Sequence, residues 1–189
     1  MKKIVAWIGF VCILIFMAGC AAGLPDPLPD IEAFYTRDIK SIEGETARQM
    51  LDRPVFITIT DGDDRVAGLY RDFVAAYLDD IQFSPNAETV YMNKSRRTAA
   101  MDVEISVVNM RPLLLRAQEA AQARHDTILN TGHMPSERDD DIFLLEALLD
   151  ILAAGGAERI SGPQTVQLKY EKAGWTITNA EELIGSYLW

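Results

Sequence analysis

Hydrophobic residues open the chain as one block: Ile4 to Met17 is 14 residues without a charge, preceded by Lys2 and Lys3. Beyond residue 30 they separate into two periods, the four-residue spacing of helix faces and the alternation of strands. Leu69, Phe73, Tyr77 and Ile81, flanked by Tyr70, Val74 and Leu78, predict a helix that turns Arg71, Asp72, Asp79 and Asp80 away from the core. Ile142, Leu145, Leu149 and Leu152 form a second stripe, widened by Leu144, Leu148 and Ile151. So broad an apolar face predicts the most buried helix of the domain. A third helix runs from Leu113 to about Leu129, with Pro112 in its first turn, where a missing N–H has no partner to lose. A short helix is expected within 38–53 and is stopped by Pro54.

Alternation predicts strands at Val55 to Thr60 and, as a pair joined around Lys94-Ser95-Arg96-Arg97, between Thr89 and Asn109. In the second of that pair Met101, Val103, Ile105 and Val107 alternate with Asp102, Glu104 and Ser106, the signature of a sheet with one wet face. A hairpin closes the chain, Val166 to Tyr170 and Trp175 to Thr178 about the turn Glu171-Lys172-Ala173-Gly174. Helix punctuation fits these elements. Asp61-Gly62-Asp63-Asp64 offers an N-cap, as do Ser136 with Asp139 and Asn179 with Glu182, while Gly155-Gly156 offers a stop.

The opening block has the three parts of an export signal: a positive start, an apolar run, and small residues at Ala18-Gly19. Fourteen helical residues cover about 21 Å of an apolar layer about 30 Å thick, so a permanent span is the poorer reading. An ordinary signal has no need of a cysteine straight after the small residues. Met17-Ala18-Gly19-Cys20 resembles the lipobox of bacterial lipoproteins, although that family usually has Leu where this chain has Met17. The resemblance implies that residues 1–19 are removed and that Cys20 becomes the mature N-terminus, carrying three acyl chains. One chain anchors only marginally, whereas several hold a protein at the bilayer. Ala21 stands where inner-membrane lipoproteins of some bacteria carry Asp, so the resemblance favours the outer membrane, facing the periplasm. Residues 20–30 then read as a lipidated start and a proline-rich spacer, since Pro25, Pro27 and Pro29 favour extended backbone at about 3.1 Å per residue.

The order of elements after residue 65 carries a second resemblance. Val103 to Met110, a helix entering at Pro112-Leu113-Leu114, Val166-Gln167-Leu168-Lys169, and Gly174-Trp175-Thr176-Ile177 before a closing helix are similar to small bacterial lipoproteins with an NTF2-like (cystatin-like) domain. The expected fold class is therefore α+β: a curved antiparallel sheet packed against helices as a cone, in one domain over 31–189. The strand predicted at 55–60 departs from that family's order.

Composition narrows the chemistry. Loss of residues 1–19 leaves 170, ample for one core, and moves the formal charge from −10 to −12 as Lys2 and Lys3 leave. Such a surface repels phosphate backbones, so no nucleic-acid partner is expected. Cys12 goes with the signal, so no disulfide and no thiol nucleophile remain beside the acylated Cys20.

Among candidate constellations, Asp61-Gly62-Asp63-Asp64 fails as an EF-hand, because its fifth, sixth and twelfth positions are Arg65, Val66 and Asp72. His125 and His133 lie near Asp139-Asp140-Asp141 without the spacing of a zinc site and read as solvated loop residues. No Gly-x-Ser-x-Gly elbow, phosphate loop or dinucleotide fingerprint occurs, and Ser136 and Ser161 read as turn or cap residues. Lys94 to Arg97 reads as a charged hairpin tip, with an anionic partner or lipid as the sharper alternative. Tyr187-Leu188-Trp189 reads as a terminus docked on the domain's own core.

The function expected is that of a lipid-anchored envelope protein, not an enzyme, with neither cofactor nor metal, binding a protein partner or a small ligand. The alternative is a pocket enzyme of the NTF2-like kind using an acid such as Asp102 as base, which needs an apolar setting.

Overall fold

The computed structural model describes residues 23–54, 56–59, 63–172 and 174–187. In chain order the elements are α1 (Leu28–Phe34), a π-helical turn (Tyr35–Ile39), α2 (Glu45–Asp52), α3 (Asp64–Asp79), β1 (Gln82–Pro85), a 3₁₀ turn (Ala87–Thr89), β2 (Tyr91–Asn93), β3 (Thr98–Val108), α4 (Met110–Leu129), α5 (Glu137–Ala153), β4 (Arg159–Glu171), β5 (Gly174–Ile177) and α6 (Ala180–Gly185). The fold is α+β, a curved antiparallel sheet packed against helices, an arrangement consistent with an NTF2-like cone.

β3 and β4 are the spine of the sheet, in register from Thr98 opposite Lys169 to Val108 opposite Arg159. β1 and β2 share the free edge of β3, β1 opposite Val103 to Ser106 and β2 opposite Thr98 to Ala100. β5 pairs only with Leu168 to Glu171 of β4. Alternation then decides the faces. Ala99, Met101, Val103 and Ile105 of β3 and Val166 and Leu168 of β4 are buried on one side, while Glu104, Thr165 and Gln167 stay exposed on the other. The inward face meets Tyr70, Phe73, Val74, Tyr77 and Leu78 of α3, and these residues belong to one continuous core.

Several expectations hold in detail. Asp63 caps α3 by accepting from the Val66 N–H. Ser136 and Asp139 form a reciprocal capping box on α5. Gly155, at φ 66°, takes the left-handed position just after α5.

Other expectations are corrected. Residues 56–59 form no strand, and Val55 and Thr60 lie outside the described residues. The Phe56 ring packs edge-on against Tyr70 and Phe73, and Ile57 is buried, so a helix face rather than a sheet edge covers this apolar stretch. The proline-rich segment is not extended throughout: Leu28 to Phe34 is helical with Pro29 in its first turn, where proline is tolerated. α3, not α5, is the most buried helix, because α5 lies against α4 and α3 and leaves Leu149 and Leu152 half-buried. β4 begins at Arg159, seven residues ahead of the expected start at Val166, and tolerates Pro163 because β5 does not reach that stretch. β1 had no signal beyond Phe83, being four residues long and ending at Pro85.

Asn179 does not cap α6. Its side chain accepts from the Gln167 N–H and donates to the Thr165 carbonyl, closing the edge of β4 where β5 ends.

Candidate functional site

Cys20, the expected lipidation site, lies outside the described residues together with the rest of residues 1–22. From Leu24 onward the described chain is seated on the domain. The Trp175 indole Nε1 donates to the Pro25 carbonyl at 2.9 Å, and the Trp175 backbone N–H reaches Asp30 at 3.4 Å. Pro27 is buried, and Leu24 and Leu28 pack on the core. Trp175 stands opposite Tyr170 in the β4–β5 ladder, their rings edge-to-face at 5.3 Å. Thus the N-terminal segment leaves the domain beside the β4–β5 turn.

The neighbouring turn is Lys94 to Arg97, which joins β2 to β3 as expected. Asn93 Oδ1 accepts from Ser95 Oγ at 2.8 Å and from the Arg96 N–H at 3.1 Å, which fixes the turn. The Tyr170 N–H donates to the Arg97 carbonyl at 2.8 Å, and the Arg97 guanidinium lies 4.7 Å from the centre of the Tyr170 ring. The two turns therefore form one end of the sheet.

Asp102 faces outward from β3, half-buried, and accepts from Thr165 Oγ1 at 2.7 Å. Ser161 donates to Ser106 Oγ on the same wet face. His125 meets Asp140 at 2.6 Å between α4 and α5, whereas His133 is exposed and contacts Thr131. Asp139 is committed to its capping box, which holds its carboxyl below the ordinary value of 3.8, first through the Ser136 backbone N–H. Among the described residues no group of three His, Cys, Asp or Glu is placed to hold a metal.

Three buried tyrosines, Tyr35, Tyr77 and Tyr187, lie together in the core. Tyr187 and Tyr35 both donate to Gln164 Oε1, at 2.9 and 3.3 Å, and Gln164 Nε2 donates to Ser186 Oγ at 2.7 Å. Burial raises Tyr35 and Tyr77 to about 12 and pushes Tyr187 higher still, with the nearby Tyr35 hydroxyl adding to the effect. Tyr187 is docked on the core as expected, and Leu188 and Trp189 lie outside the described residues. This cluster had no sequence signal, since Tyr35 and Gln164 are 129 positions apart.

Two open hollows, each about 550 Å³, flank α5. Ala123, Arg124, Thr127, Ile128, Phe143 and Glu146 line one, between α4 and α5. The other lies between α3 and α5, with Asp79, Asp80 and Asp150 at its rim. Among the described residues no helix is long and apolar enough to cross a membrane. No family model, no curated protein and no solved structure matches this chain.

Proposed function

We propose that the protein is a bacterial cell-envelope lipoprotein: Cys20 is acylated after removal of residues 1–19, and the folded head works beside the membrane as a binding module rather than an enzyme. The observation that carries this reading is Met17-Ala18-Gly19-Cys20, placed straight after a lysine-led apolar run too short to span comfortably. The outer membrane, facing the periplasm, is the favoured site. The partner is an envelope protein or a small ligand.

The interior supports binding over acid–base chemistry. A carboxylate base working near neutral pH needs burial to raise its pKa. Thr46 is the one buried polar or charged residue among those described, tyrosines apart. Asp141, which burial raises above 3.8, is only half-buried, in the acidic first turns of α5. Asp102 sits on the wet face, bonded to Thr165. Tyr35, Tyr77 and Tyr187 are buried together in the core beside the inward face of the sheet.

Replacing Cys20 tests the anchor. Cys20→Ser abolishes incorporation of labelled palmitate and leaves a full-length precursor in place of the processed form. If acylation and processing both persist in that variant, the lipoprotein reading is lost. A photo-crosslinking residue at Met134, the most exposed large apolar side chain among the described residues, then tests partnership in intact cells. A single recurrent adduct supports it, and background labelling alone argues against a protein partner on that face.

A further inference from the structure

An acidic chain here carries one basic end. Residues 91–98 hold Lys94, Arg96 and Arg97 and no acid, and residues 169–172 hold Lys169 and Lys172 with Glu171 as the lone acid. Glu171 is paired with Lys169 at 2.7 Å. The ladder brings both stretches to the same edge, through Thr98 opposite Lys169 and the bond from the Tyr170 N–H to the Arg97 carbonyl. Five cations thus stand together in a chain whose formal charge is −10.

Turn geometry does not account for them. Arg97 and Lys172 have φ of 55° and 53°, the left-handed region in which glycine sits without strain and a long side chain does not. Apolar side chains lie beside the cations: Tyr91 is 66% exposed and Met92 38% on the short edge strand β2. Cations flanked by an exposed aromatic and a thioether suit the boundary between lipid head groups and acyl chains.

The tether ends here as well. Pro25 is held by Trp175, next to Tyr170, and lies only five positions from Cys20. Fully extended, five residues span at most about 18 Å. An anchor at Cys20 therefore keeps this end of the domain within that distance of the bilayer surface.

We propose that the end of the sheet formed by residues 91–98 and 169–172 rests on the anionic phospholipid surface in which the N-terminus is anchored. Lys94, Arg96, Arg97 and Lys172 face head-group phosphates, with Tyr91 and Met92 at the interface. The inference rests on the anchored reading above. Net negative charge repels such a surface at long range, so the anchor supplies the attachment and the basic end supplies the orientation. The acidic helices then point away from the membrane, toward a partner.

Lysine footprinting reads that orientation directly. The full chain is reconstituted into phosphatidylcholine vesicles, with or without roughly a third phosphatidylglycerol, and exposed to a water-soluble amine-acylating reagent. Lys40 is the internal control. It follows Tyr35, whose ring stacks on Phe83 opposite Ile105, seven positions along β3 from the basic end, or about 23 Å. The inference expects phosphatidylglycerol to slow modification of Lys94 and Lys172 about fivefold or more, with reversal in high salt and no change at Lys40. Arg97→Gly with Lys172→Gly relieves backbone strain while removing charge, so loss of protection at Lys94 with an unchanged urea midpoint reads charge and not unfolding. Arg96→Glu acts in the same direction.

Equal protection at Lys40, protection indifferent to phosphatidylglycerol, or protection that survives these substitutions overturns the proposal. So does protection that appears only when envelope protein is added, which would make this a protein-docking end. The vesicle holds either an acylated Cys20 or a retained apolar run, so orientation is read in both cases. The mass of the N-terminal peptide says which is present. A retained run sinks the lipoprotein reading alone, while an acylated chain without protection sinks this inference alone.

Discussion

Trp175 donates its indole N–H to the carbonyl of Pro25, closing a link across 150 positions of sequence at 2.9 Å. That bond ties the first described residues to the β4–β5 hairpin and sets where the chain leaves the domain. Trp175→Phe keeps a ring beside Tyr170 but removes the donor, at a cost of about 1 kcal/mol. Hydrogen exchange across residues 24–34 should accelerate while α3 keeps its protection. Unchanged exchange over 24–34 would show that the packing of Leu28, Ile31 and Phe34 holds the segment without the bond.

Gly44 is placed where no other residue fits. A Cβ there would stand 2.5 Å from the Arg37 carbonyl oxygen, 2.8 Å from that of Asp38 and 2.9 Å from that of Ser41, all backbone atoms. Gly44→Ala should therefore cost about 3 kcal/mol, read as a lowered urea midpoint. Gly68, exposed in α3 with nothing near a would-be Cβ, supplies the opposite sign. Gly68→Ala should stabilise by up to about 1 kcal/mol. A neutral Gly44→Ala would mean that α2 can move away from the π-helical turn.

Arg159 joins the end of α3 to the start of the sheet spine. Its guanidinium contacts the Asp80 carboxylate, and donates to the Asp80 carbonyl at 3.0 Å, the Ser106 carbonyl at 2.8 Å and Ser106 Oγ at 3.0 Å. The pair is 27% and 35% exposed, so its Coulombic part is screened and the carbonyl bonds carry most of the effect. Arg159→Ala should cost about 2 kcal/mol, and Arg159→Lys should recover less than half, because an ammonium cannot make the fork. Full recovery by lysine would assign the effect to charge.

Alkaline stability follows from the tyrosines. In the unfolded chain they lose protons near pH 10, whereas burial holds Tyr35, Tyr70 and Tyr77 near 12 and Tyr187 higher. Between these values the unfolded state binds fewer protons than the folded one, so stability falls as pH rises from 10 to 12 and is fully present below 10. Urea midpoints across that window should decline, and tyrosinate absorbance from these residues should appear only with unfolding. Tyr187→Phe should flatten the decline. Complete ionisation of all tyrosines while the fold persists would contradict their burial.

How much could be read in advance depended on range. Asp63, Ser136 with Asp139, and Gly155 act on backbone groups within a few residues, so their roles stand in the sequence. The alternation of Met101, Val103 and Ile105 gave the faces of β3, and with them the outward setting of Asp102. Asn179 misled for the reverse reason: a cap and a strand-edge clamp use the same short amide, and the position of β4 chose between them.

The sequence by itself determined the α+β class, most of the helices, the faces of β3 and the caps at Asp63 and Ser136, because caps and periods are written in adjacent positions. Only the tertiary structure decided that α3 rather than α5 lies deepest, that Phe56 and Ile57 pack on a helix, and that Tyr35, Tyr187 and Gln164 meet. It alone brought two basic turns, 72 positions apart at Arg97 and Lys169, to the end where Pro25 is held. Burial depth and charge clustering depend on which surfaces the chain folds together, and no window of neighbouring residues contains that information.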